Sequence, residues 1–268
     1  MRNWIGAALA LILAGPAAAQ APSMQLWRLD CGTLDVADLG DYNDTGLFAG
    51  QKKTFVASCY LIRDGDRYLL WDTGLDGALA GKPKDAEGGL LKETIVTQLG
   101  RIGVKPEAIT FVGISHYHDD HTGQAKDFPG ATLLIGTGDW EVVKQRAEMR
   151  PRFATWLDSK SKVEEVPRDK DVFGDGKVTM LAMPGHTPGH HALLVKLASG
   201  PVLLSGDQYH FTENRRLGGV PGFNRDRADT LASHDRFEKL ATNTKAKVII
   251  QHEPDDVAKL PAFPKAAE

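Results

Sequence analysis

The sequence has no excess of positive charge. Its 32 lysines and arginines against 35 aspartates and glutamates leave a formal net charge of −3. Without a basic patch there is no electrostatic footprint for nucleic acid. Beyond the N-terminus no apolar run approaches the roughly 20 residues that a membrane-spanning helix needs, so no membrane partner is expected. No internal repeat of fixed period and no low-complexity linker interrupts the chain, which leaves a single domain as the expectation. Cysteine is scarce, with only Cys31 and Cys59. Neither sits just after the small-residue stretch that ends the N-terminal apolar run, so a lipid anchor there is not expected.

What is present begins at that N-terminus. Arg2 supplies a positive start, residues 5–13 form an apolar run broken by Gly6, and Gly15-Pro16 is followed by Ala17-Ala18-Ala19. This order matches a secretory signal peptide with a small-x-small cleavage site. Residues 1–19 are expected to be removed, and residues 20–268 to act as one domain in the periplasm or outside the cell. That length can bury a large core. A hydrophobic content of 42% with 25% charged residues is that of an ordinary globular protein. An oxidising compartment would permit a disulfide. Cys31 and Cys59 both fall in predicted N-terminal strands, but sequence does not fix their geometry, so pairing stays open.

Short apolar runs alternate with helical spacing, the pattern of sheets covered by helices. Strands are expected at 24–29, 58–63, 68–72, 109–115, 132–136, 177–182, 191–197, 201–205 and 247–251, with a hairpin turn at Asp64-Gly65-Asp66. Helices are expected at 92–102, at 139–148 with Asp139 as N-cap, and at 227–241. Loops 41–55 and 76–89 are rich in Gly, Lys, Asp and Asn, and either could border a substrate cleft.

The chemistry concentrates in Ser115-His116-Tyr117-His118-Asp119-Asp120-His121, directly behind the apolar run 109–114. Three imidazoles and a carboxylate in six residues, at a strand-to-helix turn, would crowd one another if they bound nothing. Imidazole and carboxylate are good ligands for zinc and similar divalent ions. His186, Asp207 and His252 each follow another apolar strand. His190 is expected to hold its loop by hydrogen bonding, His191 to be structural, and His234 to lie on a solvated helix face.

The set His116, His118, Asp120, His121, His186, Asp207 and His252 resembles the metallo-β-lactamase superfamily. The resemblance covers nearly the whole chain from Asp72-Thr73-Gly74 to the final histidine. It implies an αββα sandwich, two mixed sheets flanked by helices, and two divalent metal ions, expected to be Zn2+. It also implies that His116, His118 and His186 bind one metal, that Asp120, His121 and His252 bind the other, and that Asp207 bridges them. A hydroxide between two cations is a nucleophile at neutral pH, and Asp120 could orient it and pass a proton to the leaving group.

Within the superfamily, His118 stands where electron-transfer diiron members carry Glu. Asp207 stands where β-lactamases usually carry Cys or Ser. Only a short tail follows His252, against the helical substrate domain of glyoxalase-type thioesterases. The motifs at 115–123, 184–190 and 202–207, with Glu213-Asn214 and Gln251-His252-Glu253-Pro254, are most similar to the N-acyl-homoserine lactonases. That group implies a small-molecule lactone substrate, quorum quenching and a possible homodimer. It also implies a Tyr near the bridging Asp that contacts the lactone carbonyl. Here Tyr209 stands two places after Asp207 and His210 three, so both are candidates. An organophosphate or aryl-ester hydrolase of the methyl parathion hydrolase type is the alternative, with a β-lactamase behind it. A periplasmic metal-binding protein is the non-enzymatic alternative.

Overall fold

A computed structural model describes Met1 and residues 24–268. The expected signal peptide lies outside the described residues. Eleven strands form two sheets among the described residues. The first holds β1 (Gln25–Val36), β2 (Lys53–Asp64), β3 (Arg67–Trp71), β4 (Phe111–Ile114), β5 (Thr132–Gly136) and β6 (Val163–Val166), in that order. β1 to β3 pair antiparallel and β3 to β6 parallel. The second runs β11 (Lys247–Ile249), β10 (Gly200–Leu204), β9 (His191–Leu197), β8 (Val178–Ala182) and β7 (Lys170–Asp171). Only β10 and β11 are parallel there.

Three buried layers explain why the two sheets stack. Tyr60, Ile62, Leu69 and Trp71 of the first sheet meet Val178, Met180, Leu193, Val195 and Leu204 of the second. The opposite face of the first sheet, with Leu61, Leu70, Val112 and Leu133, is covered by α1 (Ile95–Arg101), α3 (Thr137–Gln145) and α4 (Arg150–Leu157). Leu181, Leu194 and Leu203, on the outer face of the second sheet, are covered by Phe237 and Ala241 of α6 (Arg227–Thr244). Alternate residues of β9 thus serve two cores, Leu193 and Val195 on one side and Ala192 and Leu194 on the other, as the two-residue strand period requires. The expected αββα sandwich is the observed architecture. Among the described residues no helix is long and apolar enough to cross a membrane.

Some elements depart from expectation. β1 and β2 run well past 24–29 and 58–63, because the long antiparallel ribbon continues beyond a bulge between Asp30 and Thr33. Strands β6 and β7 and helices α4 and α5 (Thr212–Leu217) were not anticipated. Asp139 is not an N-cap: it lies inside α3 and is fully buried.

The open question of the cysteines is answered by a Cys31–Cys59 disulfide across β1 and β2. It closes a separation of 28 residues, and a loop of that length restricts the unfolded chain by about 3.5 kcal/mol. Replacing both cysteines with serine should lower the melting midpoint by roughly 10 °C with the far-UV circular dichroism unchanged. An unmoved midpoint would show that the bond contributes nothing.

Candidate metal centre

Four strand ends deliver the candidate ligands to one edge of the sandwich. β4 leads into Ser115–His121 and the single-turn helix α2 (Asp119–Thr122). β8 and β9 flank the loop bearing His186, β10 runs into the tight turn holding Asp207, and β11 precedes His252. The two sheets are tied here: the His191 N–H donates to the Ser115 carbonyl at 2.8 Å. Gln251 Oε1 accepts from Trp71 Nε1 and from the Gly206 N–H. Gly206 has φ +53°, and a Cβ on it would sit 2.5 Å from His190 Nε2. Glycine is therefore needed there both for the backbone angle and for the space.

All seven predicted ligand residues converge. His116, His118, His186 and Asp207 form one group in which each residue offers a ligand atom within 4.8 Å of the others, and Asp120, His121 and His252 form a second. His116 Nε2 lies 3.0 Å from His118 Nδ1 and 3.3 Å from His186 Nε2. His121 Nε2 and His252 Nε2 are 3.2 Å apart. Asp207 reaches into both groups. Its Oδ2 is 3.5 Å from His116 Nε2 and 3.3 Å from His186 Nε2, and its Oδ1 is 3.1 Å from His121 Nε2 and 3.0 Å from His252 Nε2.

Whether these residues suit a cation can be judged from their other contacts. The far nitrogens of four rings are engaged elsewhere. His116 Nδ1 meets Ser115 Oγ, His121 Nδ1 meets Asp72 Oδ2 at 2.9 Å, His186 Nδ1 meets Asn224 Oδ1 at 2.7 Å, and His252 Nδ1 meets the Val56 carbonyl at 2.8 Å. An imidazole that donates from one nitrogen presents a lone pair on the other. Inward-facing lone pairs at these separations repel unless a cation lies between them. Burial holds the pKa of His116 well below the ordinary value and pushes that of His118 down to about 3, with the neighbouring imidazoles adding to it. Burial also disfavours charge on His121 and His252, but the Asp207 and Asp120 carboxylates outweigh it and raise both. That half of the site calls for positive charge, which a divalent ion supplies. The donor set fits metal ions.

The predicted catalytic pair is split by the structure. His210 Nε2 is 3.0 Å from Asp207 Oδ2, and its ring stacks on His252. Tyr209 is placed elsewhere: it belongs to the core under α6, its ring stacked on His234 with centroids 4.4 Å apart. Its backbone is extended, and neighbouring side chains on an extended backbone face opposite ways. Tyr209 therefore faces the core, away from the candidate metal ligands. His234 is also corrected. It is buried, and its Nε2 contacts the Gln208 carbonyl at 2.9 Å. His190 holds its loop as expected: its Nε2 accepts from the Asp207 N–H at 2.9 Å, and its Nδ1 contacts the Met183 carbonyl. His191 is structural, bound to the Gly189 carbonyl at 2.7 Å.

Three residues that sequence reasoning did not assign a part in the site help to shape it. Asp72 accepts from the Ser115 N–H and from Gln251 Nε2 and meets His121. Its signal, a carboxylate closing an apolar strand, is the one that identified Asp207. Asp139 joins two ligand loops by accepting from the N–H groups of Tyr117 and Gly189 and from Thr187 Oγ1. Burial raises its pKa to about 7 against those three donors. Asp139→Ala should weaken metal binding about 10- to 100-fold in a chelator competition titration, and an unchanged affinity would remove Asp139 from the site's support. The third, Tyr42, lines a cavity of about 130 Å³ with Leu34, Phe55, His118, Asp120, Asp207, His210, Phe223 and His252. Nothing in the sequence marked it beyond its place in loop 41–55. A larger cavity of about 380 Å³ lies by Arg28, Lys92 and Phe263 and includes none of the candidate ligands.

Residues 53–252 match the metallo-beta-lactamase superfamily, and the chain belongs to that family. With that membership comes its class, the metal-dependent hydrolases. The N-acyl homoserine lactonase AttM of Azorhizobium caulinodans is 30% identical over 227 residues, 77% of this chain and 84% of that protein. AttM of Rhizobium radiobacter is 31% identical over 229 residues, 78% of this chain and 85% of its own. In fold, the chain is similar to an N-acyl homoserine lactone hydrolase solved with the product N-hexanoyl-L-homoserine at its catalytic metal center. That likeness has a TM-score of 0.76 at 23% identity and covers 91% of this chain and 99% of the other. AidC, a dizinc quorum-quenching lactonase, gives a TM-score of 0.67 at 18% identity, covering 92% and 90%.

Proposed function

We propose that this protein is an exported, two-metal N-acyl homoserine lactonase that silences a quorum signal by opening its lactone ring. The observation that carries the reading is Asp207, a single carboxylate with one oxygen directed to each histidine group. The lactonases among its relatives supply the substrate class. Two divalent ions, best matched by zinc for an all-imidazole and carboxylate set, would bring a water's pKa down to about 7 and polarise the lactone carbonyl. His116, His118 and His186 would hold one ion and Asp120, His121 and His252 the other, with Asp207 shared. Asp120 is the partly open member, its side chain 21% exposed towards the cavity. It would accept the attacking water's proton and return it to the ring oxygen as the C–O bond breaks. Leu34, Phe55 and Phe223 form an apolar wall for an acyl chain.

The test is pH-stat hydrolysis of a short-chain and a long-chain N-acyl homoserine lactone by zinc-loaded protein, beside His118→Ala. Rapid ring opening that is lost in the variant is expected. A fully metallated protein that opens neither lactone would overturn the assignment, and turnover of a phosphotriester instead would install the alternative. Export rests on the Arg2-to-Ala19 pattern and sits well with the disulfide. N-terminal sequencing of protein from the periplasmic fraction should begin at Gln20. The homodimer that the resemblance implies is checked by light scattering.

A further inference from the structure

Opening a lactone moves negative charge onto the carbonyl oxygen, and a donor aimed at that oxygen is worth most where water is excluded. The cavity lining holds few groups able to donate. Leu34, Phe55 and Phe223 are apolar, Asp120 and Asp207 are acceptors, and His118 and His252 are committed as ligands. His210 has Nε2 taken up by the Asp207 carboxylate at 3.0 Å, and its Nδ1 is buried with no partner among the described residues. The remaining donor is the Tyr42 hydroxyl.

Tyr42 is also held in place. Its ring packs edge-on against His210 at 4.8 Å and against Phe55 and Phe223, both at 5.2 Å. Its carbonyl accepts from Asn214 Nδ2 at 2.7 Å, and Asn214 Oδ1 accepts from Asn43 Nδ2 at 2.8 Å, both amides being buried. The Asp44 N–H donates to Val220, and the Gly222 N–H to Asp41. The loop between β1 and β2 is thus laced to the segment after α5, which holds Tyr42 in the lining of the cavity that His118, Asp120, Asp207 and His252 also line.

We propose that Tyr42, reaching in from the N-terminal loop, donates the hydrogen bond to the substrate's carbonyl-side oxygen, a task that neither Tyr209 nor His210 is placed to perform. The assignment rests on the lactonase reading. Tyr42→Phe keeps the ring and its packing and removes only the hydroxyl. Its kcat on N-hexanoyl homoserine lactone should fall on the order of 100-fold, and calorimetry should show weaker binding of the ring-opened product. Bound metal and melting midpoint should match the parent protein. A parent that opens the lactone beside a Tyr42→Phe variant with equal kcat and equal product affinity would overturn the role of Tyr42 alone. A fully metallated parent that opens no lactone would overturn both.

Discussion

Asp207→Ala is expected to reduce kcat/KM for lactone opening on the order of 10³-fold or more. The reason is geometric. Among the described residues, Asp207 is the only carboxylate that meets histidines of both groups at 3.5 Å or less, and His210 faces it as well. Alanine removes the shared anion and leaves two cations, if both bind, with less charge between them to offset their repulsion. The second ion should therefore be lost first, and elemental analysis should find fewer than two ions per chain. Asp207→Asn keeps the shape and the Asp207 N–H bond to His190, so its folding should stay close to the parent while activity falls nearly as far. Turnover at the parental rate with two ions bound would show that the carboxylate is not shared.

The candidate ligands were readable because each follows an apolar strand and is itself chemically conspicuous: His116 to His121 behind β4, Asp207 behind β10, His252 behind β11. The same runs pointed to sheets covered by helices, and the family resemblance supplied the αββα arrangement. What escaped depends on tertiary packing. β6 is Val-Glu-Glu-Val, with one residue of four fully buried, and carries almost no hydrophobic signal. α4 buries only Phe153 and Trp156 and reads as polar around them. His234 looked solvated because its helix neighbours, Asp235 and Arg236, are charged, yet α6 turns it onto Tyr209. The choice between Tyr209 and His210 turned on which face of an extended segment meets the candidate ligands, and that depends on how β10 enters its turn. Tyr42 became visible only when the loop after β1 was seen folded over the site.

Asp72→Ala should be the most damaging change outside the ligands, costing about 4 kcal/mol of folding stability. Asp72 is fully buried and accepts from the Ser115 N–H at 2.7 Å and from Gln251 Nε2 at 2.9 Å, while its Oδ2 meets His121 Nδ1 at 2.9 Å. Each donor left unmet in the interior costs about 1–3 kcal/mol. Asp72 also has φ +57°, a conformation that Asp and Asn adopt more readily than Ala, so alanine adds backbone strain. The next residue extends the damage, because Thr73 donates to the His121 carbonyl from both its N–H and its Oγ1. Asp72→Asn separates the two roles. It tolerates the same backbone angle and fills the same volume, but it offers one side-chain oxygen where two meet donors. Stability should fall by less than in the alanine variant. Affinity at the Asp120–His121–His252 group should drop about 10- to 100-fold, because His121 loses the partner that fixes its tautomer. Urea denaturation and chelator competition on the two variants measure the terms separately. Equal metal affinity in Asp72→Asn and the parent would show that Asp72 supports the fold and not the metal site.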